Sequence, residues 1–210
     1  MSLFSALLPP VDVRASLRFA LGVPRDVGER GGEDGAGDAA PRWTPESRWH
    51  VTLGFYGDDG PPGSPGDPAR RLGLLREALA GRPPVTLRIE GAGTFPGVLW
   101  AAVHGGGLAG LAAAAGADLE RRAYRPHLTL ARWPREQNPP PAVARVLTAG
   151  CRTRSWTARE VVLLRGERID GGTRYVPAGT VPLDGGARGG DGGGDTPSAP
   201  TGTAVHPERS

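Results

Sequence analysis

Two short stretches hold the residues with chemistry to offer: His50-Val51-Thr52-Leu53 and His127-Leu128-Thr129-Leu130. An imidazole gives or takes a proton near neutral pH, because its unperturbed pKa is about 6.5. A threonine hydroxyl can donate a hydrogen bond to an oxygen on which charge builds up. Both stretches alternate aliphatic with polar residues, and each predicts a β-strand. Successive side chains of a strand point to opposite faces. His50 and Thr52 therefore share one face, with Val51 and Leu53 on the other. His127 and Thr129 are likewise set against Leu128 and Leu130. Two such strands side by side, apolar faces to the core, bring two imidazoles and two hydroxyls to one cleft. One copy would carry little weight; two copies with the same Leu in the same context carry much more.

Other residues near the motifs are weighed by phase and neighbourhood. Arg48 is in phase with His50, and Tyr124 and Arg125 stand just ahead of the second motif; these three are candidates for holding substrate. Arg132 falls by parity on the side of Leu128 and Leu130, away from the site, unless a bulge or the strand's end turns it round. Trp133-Pro134 directly behind it predicts such an end. Phe55, in phase with Val51 and Leu53, is expected in the core. Tyr56, in phase with His50, is expected to pack at the cleft rim. Trp49, Trp100, Trp133 and Trp156 read as core or rim packing. His104, ahead of a run of three glycines, reads as a surface residue at a strand end, and His206 as solvated. The four histidines (50, 104, 127 and 206) and the one cysteine show no ligand spacing of the H-x-x-x-H or C-x-x-C kind, so no metal is expected.

The elements that must position these residues follow from periodicity and punctuation. Residues 1–14 read as a loose lead-in and 15–21 as a first strand. Residues 28–40 are rich in Gly, Glu, Asp and Ala without a period, and read as a solvated loop. The first motif strand is expected over 48–56, followed by a loop at 57–68. Asp67-Pro68 predicts a capped helix start, and the helix runs to about 80 with Leu72, Leu75 and Leu79 as its apolar stripe. A strand is expected over 84–90, broken by Gly91-Ala92-Gly93, then a strand over 98–103. A helix is expected over 107–122, the second motif strand over 127–132, and a short helix over 142–149 between prolines and Gly150. One strand over 156–165, a hairpin signal at Asp170-Gly171-Gly172 and a last strand over 173–183 complete the domain. After each motif the order is motif strand, helix, strand, strand. The fold class this implies is α+β: two pseudo-symmetric lobes of antiparallel sheet, with outer helices, around a central cleft. The domain spans 15–183, and 184–210 reads as a disordered tail.

The chain has 210 residues, with 34 Gly and 22 Pro, each about twice the usual share. All 25 basic residues are arginine. The formal charge is +3; setting aside −2 on residues 184–210 and −3 on 28–40 leaves +8 on the remainder. A basic folded part favours an anionic partner, nucleic acid included. The single cysteine, Cys151, excludes an internal disulfide and reads as a small buried residue. No apolar run reaches transmembrane length and no signal peptide is read, so a cytoplasmic protein without a membrane partner is expected.

At the residues that carry these motifs the chain resembles the 2H phosphoesterase superfamily. Within it, the match is to the bacterial and archaeal RNA 2′,3′-cyclic phosphodiesterases, also known as the 2′-5′ RNA ligase family. The superfamily's signature is a pair of H-x-[ST]-x motifs, present here at His50 and His127. Arg48 to Asp58 is similar to the family's first-motif strand, and Tyr124 to Arg132 to its second. Gly91 to Pro96 with Val98-Leu99-Trp100 is similar to its central block, and Ser16 to Leu21 to its opening strand. The acidic 28–40 segment, a long 57–68 loop and Gly166, where relatives commonly carry Ser, depart from the pattern.

The resemblance implies hydrolysis of a terminal 2′,3′-cyclic phosphate on RNA to a 2′-phosphate. It implies His50 as proton donor to the leaving 3′-oxygen and His127 as proton acceptor from water. Residue type alone leaves the two roles interchangeable. Thr52 and Thr129 would donate to the non-bridging oxygens, and the resemblance favours an Arg at position 132. No cofactor enters the scheme, and a monomer is expected. The competing readings are the same chemistry on a small cyclic nucleotide or ADP-ribose cyclic phosphate, and a non-catalytic RNA-end-binding module. The intact His and Thr pairs weigh against the latter.

Overall fold

A computed structural model describes residues 1–23, 40–116, 123–169 and 172–185. The 28–40 loop, except Ala40, the end of the 107–122 helix, the hairpin tip at 170–171 and the tail beyond Gly185 lie outside the described residues. In chain order the elements are β1 (Ser2–Leu7), α1 (Val11–Leu21), β2 (Arg42–Trp43), β3 (Val51–Asp58), α2 (Pro68–Leu79), β4 (Val85–Phe95), β5 (Val98–Gly105), α3 (Leu108–Ala114), β6 (His127–Arg132), α4 (Pro141–Ala149), β7 (Trp156–Ala158), β8 (Glu160–Ile169) and β9 (Gly172–Pro182). A single turn of 3-10 helix, Glu46–Arg48, separates β2 from β3.

All pairings are antiparallel, in the order β7-β4-β5-β6-β3-β1-β8-β9, with β2 also beside β6. The two expected lobes are thus two four-stranded halves of one curled sheet, and they meet at the motif strands β3 and β6. The halves are related in topology. Each repeat runs strand, helix, motif strand, helix, strand: β1-α1-β3-α2-β4, then β5-α3-β6-α4 into β8. The last strand of each repeat crosses to pair with the first strand of the other, β4 with β5 and β8 with β1.

One face of the sheet packs on the helices around Leu3, Leu17, Val51, Leu53, Leu79, Leu128 and Leu130, in one continuous core. Asp67 caps α2 as expected, its carboxylate accepting from the Ala69 N–H. Leu72, Leu75 and Leu79 are its buried stripe. A smaller cluster of Phe4, Ala6, Val162 and Leu164, with Tyr175 against it, covers the opposite face of one half.

Four expectations are corrected. Residues 1–14 are not a loose lead-in: β1 is an interior strand between β3 and β8, buried on both faces, so its apolar run lacks alternation. Residues 15–21 are helical. Val13, Leu17 and Leu21 turn inward at four-residue spacing, while Phe19, which a strand would have buried beside them, is 87% exposed. Gly22, in the left-handed region at φ 62°, ends that helix. Gly91-Ala92-Gly93 does not break β4. It forms a bulge, with Gly91 at φ 94° and its N–H donated to the Cys151 carbonyl. The strand expected over 156–165 is two strands, β7 against β4 and β8 against β1, separated only by Arg159.

Cys151 is buried, which pushes its thiol up to about 11. No helix among the described residues is long and apolar enough to cross a membrane.

Candidate active site

The motif strands touch through one pair, Val51 opposite Leu128. Continued by one residue each way, that register sets His50 opposite Thr129 and Thr52 opposite His127, all four on the face away from the core. The halves therefore present the motifs head to tail, each imidazole facing the other motif's hydroxyl.

Both motifs also contain a bulge at the same residue. Against β1, Ala6 pairs with Thr52 but Ser5 pairs with Gly54, leaving Leu53 as the extra residue. Against β5, Trp100 pairs with Thr129 but Leu99 pairs with Ala131, leaving Leu130 extra. A bulge puts two consecutive side chains on one side and reverses the alternation beyond it. Leu53 and Gly54, and likewise Leu130 and Ala131, are all buried. The residue after each pair then returns to the cleft face: Phe55 in one half, Arg132 in the other. At position 54 only a glycine fits; a Cβ on Gly54 would lie 2.5 Å from the Ala115 carbonyl oxygen.

The two imidazoles are held identically. His50 Nδ1 lies 2.7 Å from the Arg48 carbonyl and His127 Nδ1 2.7 Å from the Arg125 carbonyl. A carbonyl only accepts, so in both rings Nδ1 carries the hydrogen and Nε2 is the nitrogen left to exchange a proton. Each ring is wedged between aromatic neighbours. His50 has Phe4 at 4.9 Å and the edge of Tyr175 at 5.2 Å. His127 has Phe95 at 5.4 Å and Trp100 at 6.3 Å. Burial pushes the His50 imidazole below its ordinary pKa. The Arg48 carbonyl opposes this, while positive charge on His127 and Arg132 adds to the lowering. Those charges reach His50 across the junction of the two halves.

The remaining sequence candidates divide. The Arg48 guanidinium donates to the Thr173 carbonyl at 3.0 Å, while its own carbonyl holds His50. Tyr124 is half-buried, and its hydroxyl donates to the Thr52 carbonyl at 3.0 Å, tying the approach to β6 onto β3. Arg125 is exposed and, with Tyr124, His127, Phe95 and Trp100, lines a groove of about 400 Å³ running from His127. Arg132 is exposed on the cleft face, the bulge being the condition under which it would turn there. Phe55 is not core but 50% exposed. Tyr56 packs against the core instead of the cleft rim, its hydroxyl donating to the Ala115 carbonyl at 2.7 Å and bonded to Ser5. His104 is exposed near the end of β5, bonded to the Glu90 carbonyl, and lines the same groove as His127. The flanking rings Phe4, Tyr175 and Phe95 were missed. Phe4 and Tyr175 come from opposite ends of the chain, and no local spacing points to them. Among the described residues no group of three or more His, Cys, Asp or Glu is placed to hold a metal ion.

A model of the 2′-5′ RNA ligase superfamily matches residues 33–170. The comparison with curated proteins gave no match. Among solved structures the chain is similar to TT0787 of Thermus thermophilus, at 23% identity and a TM-score of 0.67, covering 89% of this chain and 100% of that one. It is also similar to E. coli LigT solved with phosphate, at 24% identity and a TM-score of 0.58, covering 87% and 97%. The same protein solved with 3′-AMP gives 23%, 0.60, 87% and 98%. These likenesses are of fold.

Proposed function

Because the chain belongs to the 2′-5′ RNA ligase superfamily, we propose that it is a phosphodiesterase opening terminal 2′,3′-cyclic phosphates on RNA by two-histidine acid–base catalysis. The observation that carries this reading is the matched pair of Nδ1–H bonds to backbone carbonyls. They leave two Nε2 atoms available on one face, beside two threonine hydroxyls.

The reaction follows from those groups. His127 Nε2 takes a proton from water as its oxygen bonds to phosphorus. The bond from phosphorus to the 3′-oxygen breaks, and that oxygen takes a proton from His50 Nε2, leaving a 2′-phosphate. The assignment of donor and acceptor rests on the family resemblance. A lowered pKa makes the His50 imidazolium the stronger acid, and an arriving phosphodiester anion favours its charged form. Thr52 and Thr129 donate to the non-bridging oxygens, where charge is concentrated at the transition state. Arg132 adds positive charge on the same face. Phe55 offers a half-exposed ring on which a base can stack. No step needs a metal or a cofactor.

A second reading keeps the chemistry but uses a small cyclic nucleotide; the 3′-AMP bound to E. coli LigT favours it. The test is incubation of the purified protein with an oligoribonucleotide ending in a 2′,3′-cyclic phosphate, and with the corresponding nucleoside cyclic phosphate. A 2′-monoester product is expected. A 3′-monoester would reverse the assigned leaving group, and no product from either substrate would defeat the reading.

A further inference from the structure

Arg42 and Arg132 stand side by side on the cleft face. β2 runs along the end of β6 with Arg42 directly opposite Arg132 and Trp43 opposite Ala131. Directly opposed residues of paired strands project to the same side of a sheet. Trp43 and Ala131 pack into the core, so both arginines project the other way. Both are exposed. Among the described residues neither guanidinium has an ion-pair or hydrogen-bond partner. Like charges placed directly opposite one another destabilise a sheet. Two planar forks on one face, without an acid between them, match an anion of phosphate shape.

Their place along the strand says which phosphate. β2 and β3 form one interrupted line beside β6. Arg42 and Trp43 pair with its end, the Thr44 N–H donates to the Leu130 carbonyl, and after the 3-10 turn the line resumes at His50 and Val51. From Thr129 to Arg132 is three residues, at most about 10 Å of extended chain and less through the bulge. That is one step from the reacting phosphorus, on the scale of the separation between successive phosphates of a nucleic-acid strand. The other half has Phe55, an uncharged ring, at the matching place.

We propose that Arg42 and Arg132 together hold the phosphate on the 5′-oxygen of the terminal nucleotide, the internucleotide phosphodiester next to the cyclic end. The site then recognises the end of an RNA strand in preference to a free nucleoside cyclic phosphate. This inference rests on the phosphodiesterase reading and names its substrate class.

Three substrates test it: a nucleoside 2′,3′-cyclic phosphate, the same compound with a 5′-phosphate, and a dinucleotide ending in the cyclic phosphate. The two with a second phosphate should show the higher kcat/KM. Arg42→Gln should cut that advantage about tenfold, the scale of one charge-assisted hydrogen bond. An equal loss on all three substrates, or an advantage confined to the dinucleotide, overturns the proposal. A binding measurement is independent of turnover. For an oligoribonucleotide with a 3′-phosphate, the slope of log K against log salt concentration should fall by about 0.7 in Arg42→Gln. An unchanged slope overturns the subsite. Absence of turnover by the wild type would instead count against the function proposed above.

Discussion

Each motif histidine is fixed through its Nδ1. The carbonyl two residues back holds Nδ1 at 2.7 Å in both rings, and aromatic neighbours limit their rotation. Burial lowers the pKa of His50. If one ring must be charged and the other neutral, kcat/KM is bell-shaped in pH. The lower macroscopic value governs the acid limb, and that limb should lie below about 6.5; a flat profile from about pH 5 to 9 contradicts the pair. The same shift couples to stability. The folded value is below the unfolded one, so the unfolded chain binds more protons in the interval between them, and stability rises with pH there. Unfolding free energy should therefore decline as pH falls below about 6.5, and His50→Gln should remove that part of the decline in denaturant titrations at several pH values. Thr52→Val or Thr129→Val should lower kcat by about 10²-fold with little change in KM, as for the loss of one transition-state donor. The sequence placed His50, Thr52, His127 and Thr129 on one face because strand parity holds to the third residue of each motif. It misplaced Phe55 and left Arg132 conditional because the bulge falls on the fourth.

At the scale of elements, the bulges and a cross-tie decide what the cleft contains. Leu53 and Leu130 look like ordinary core leucines in the sequence; that each is an extra residue shows only in its pairing with β1 or β5. The same limit hid β1, whose neighbours lie more than forty residues away along the chain. It also hid the helical character of 15–21, where Leu17, Phe19 and Leu21 imitate strand alternation. Helix α2 was legible because its signals are local: Asp67 with Pro68 at one end and three leucines at helical spacing. Tyr124 adds to the single β3–β6 pair a side-chain bond from one half to the backbone of the other at Thr52. Tyr124→Phe should cost about 1 kcal/mol of stability and lower kcat more than it raises KM. If KM alone changes, the hydroxyl touches substrate and is not a positioning group.

For the whole molecule, the consequence of the swapped strands is that neither half can fold away from the other without losing a strand, so the two motifs are carried on one sheet. A site made of imidazoles, hydroxyls and guanidinium groups should keep full turnover in excess chelator; loss that returns on adding a divalent metal would contradict the scheme. The central claim is that His50 and His127 act as a unit on one phosphorus. It is tested most directly by the rate of cyclic-phosphate opening in His50→Ala, His127→Ala and the double variant, each shown to retain ligand. Each single change should lower kcat by about 10²- to 10⁴-fold, and the double change should cost little more than either, as for groups acting together. Turnover at the wild-type rate in either single variant would contradict it.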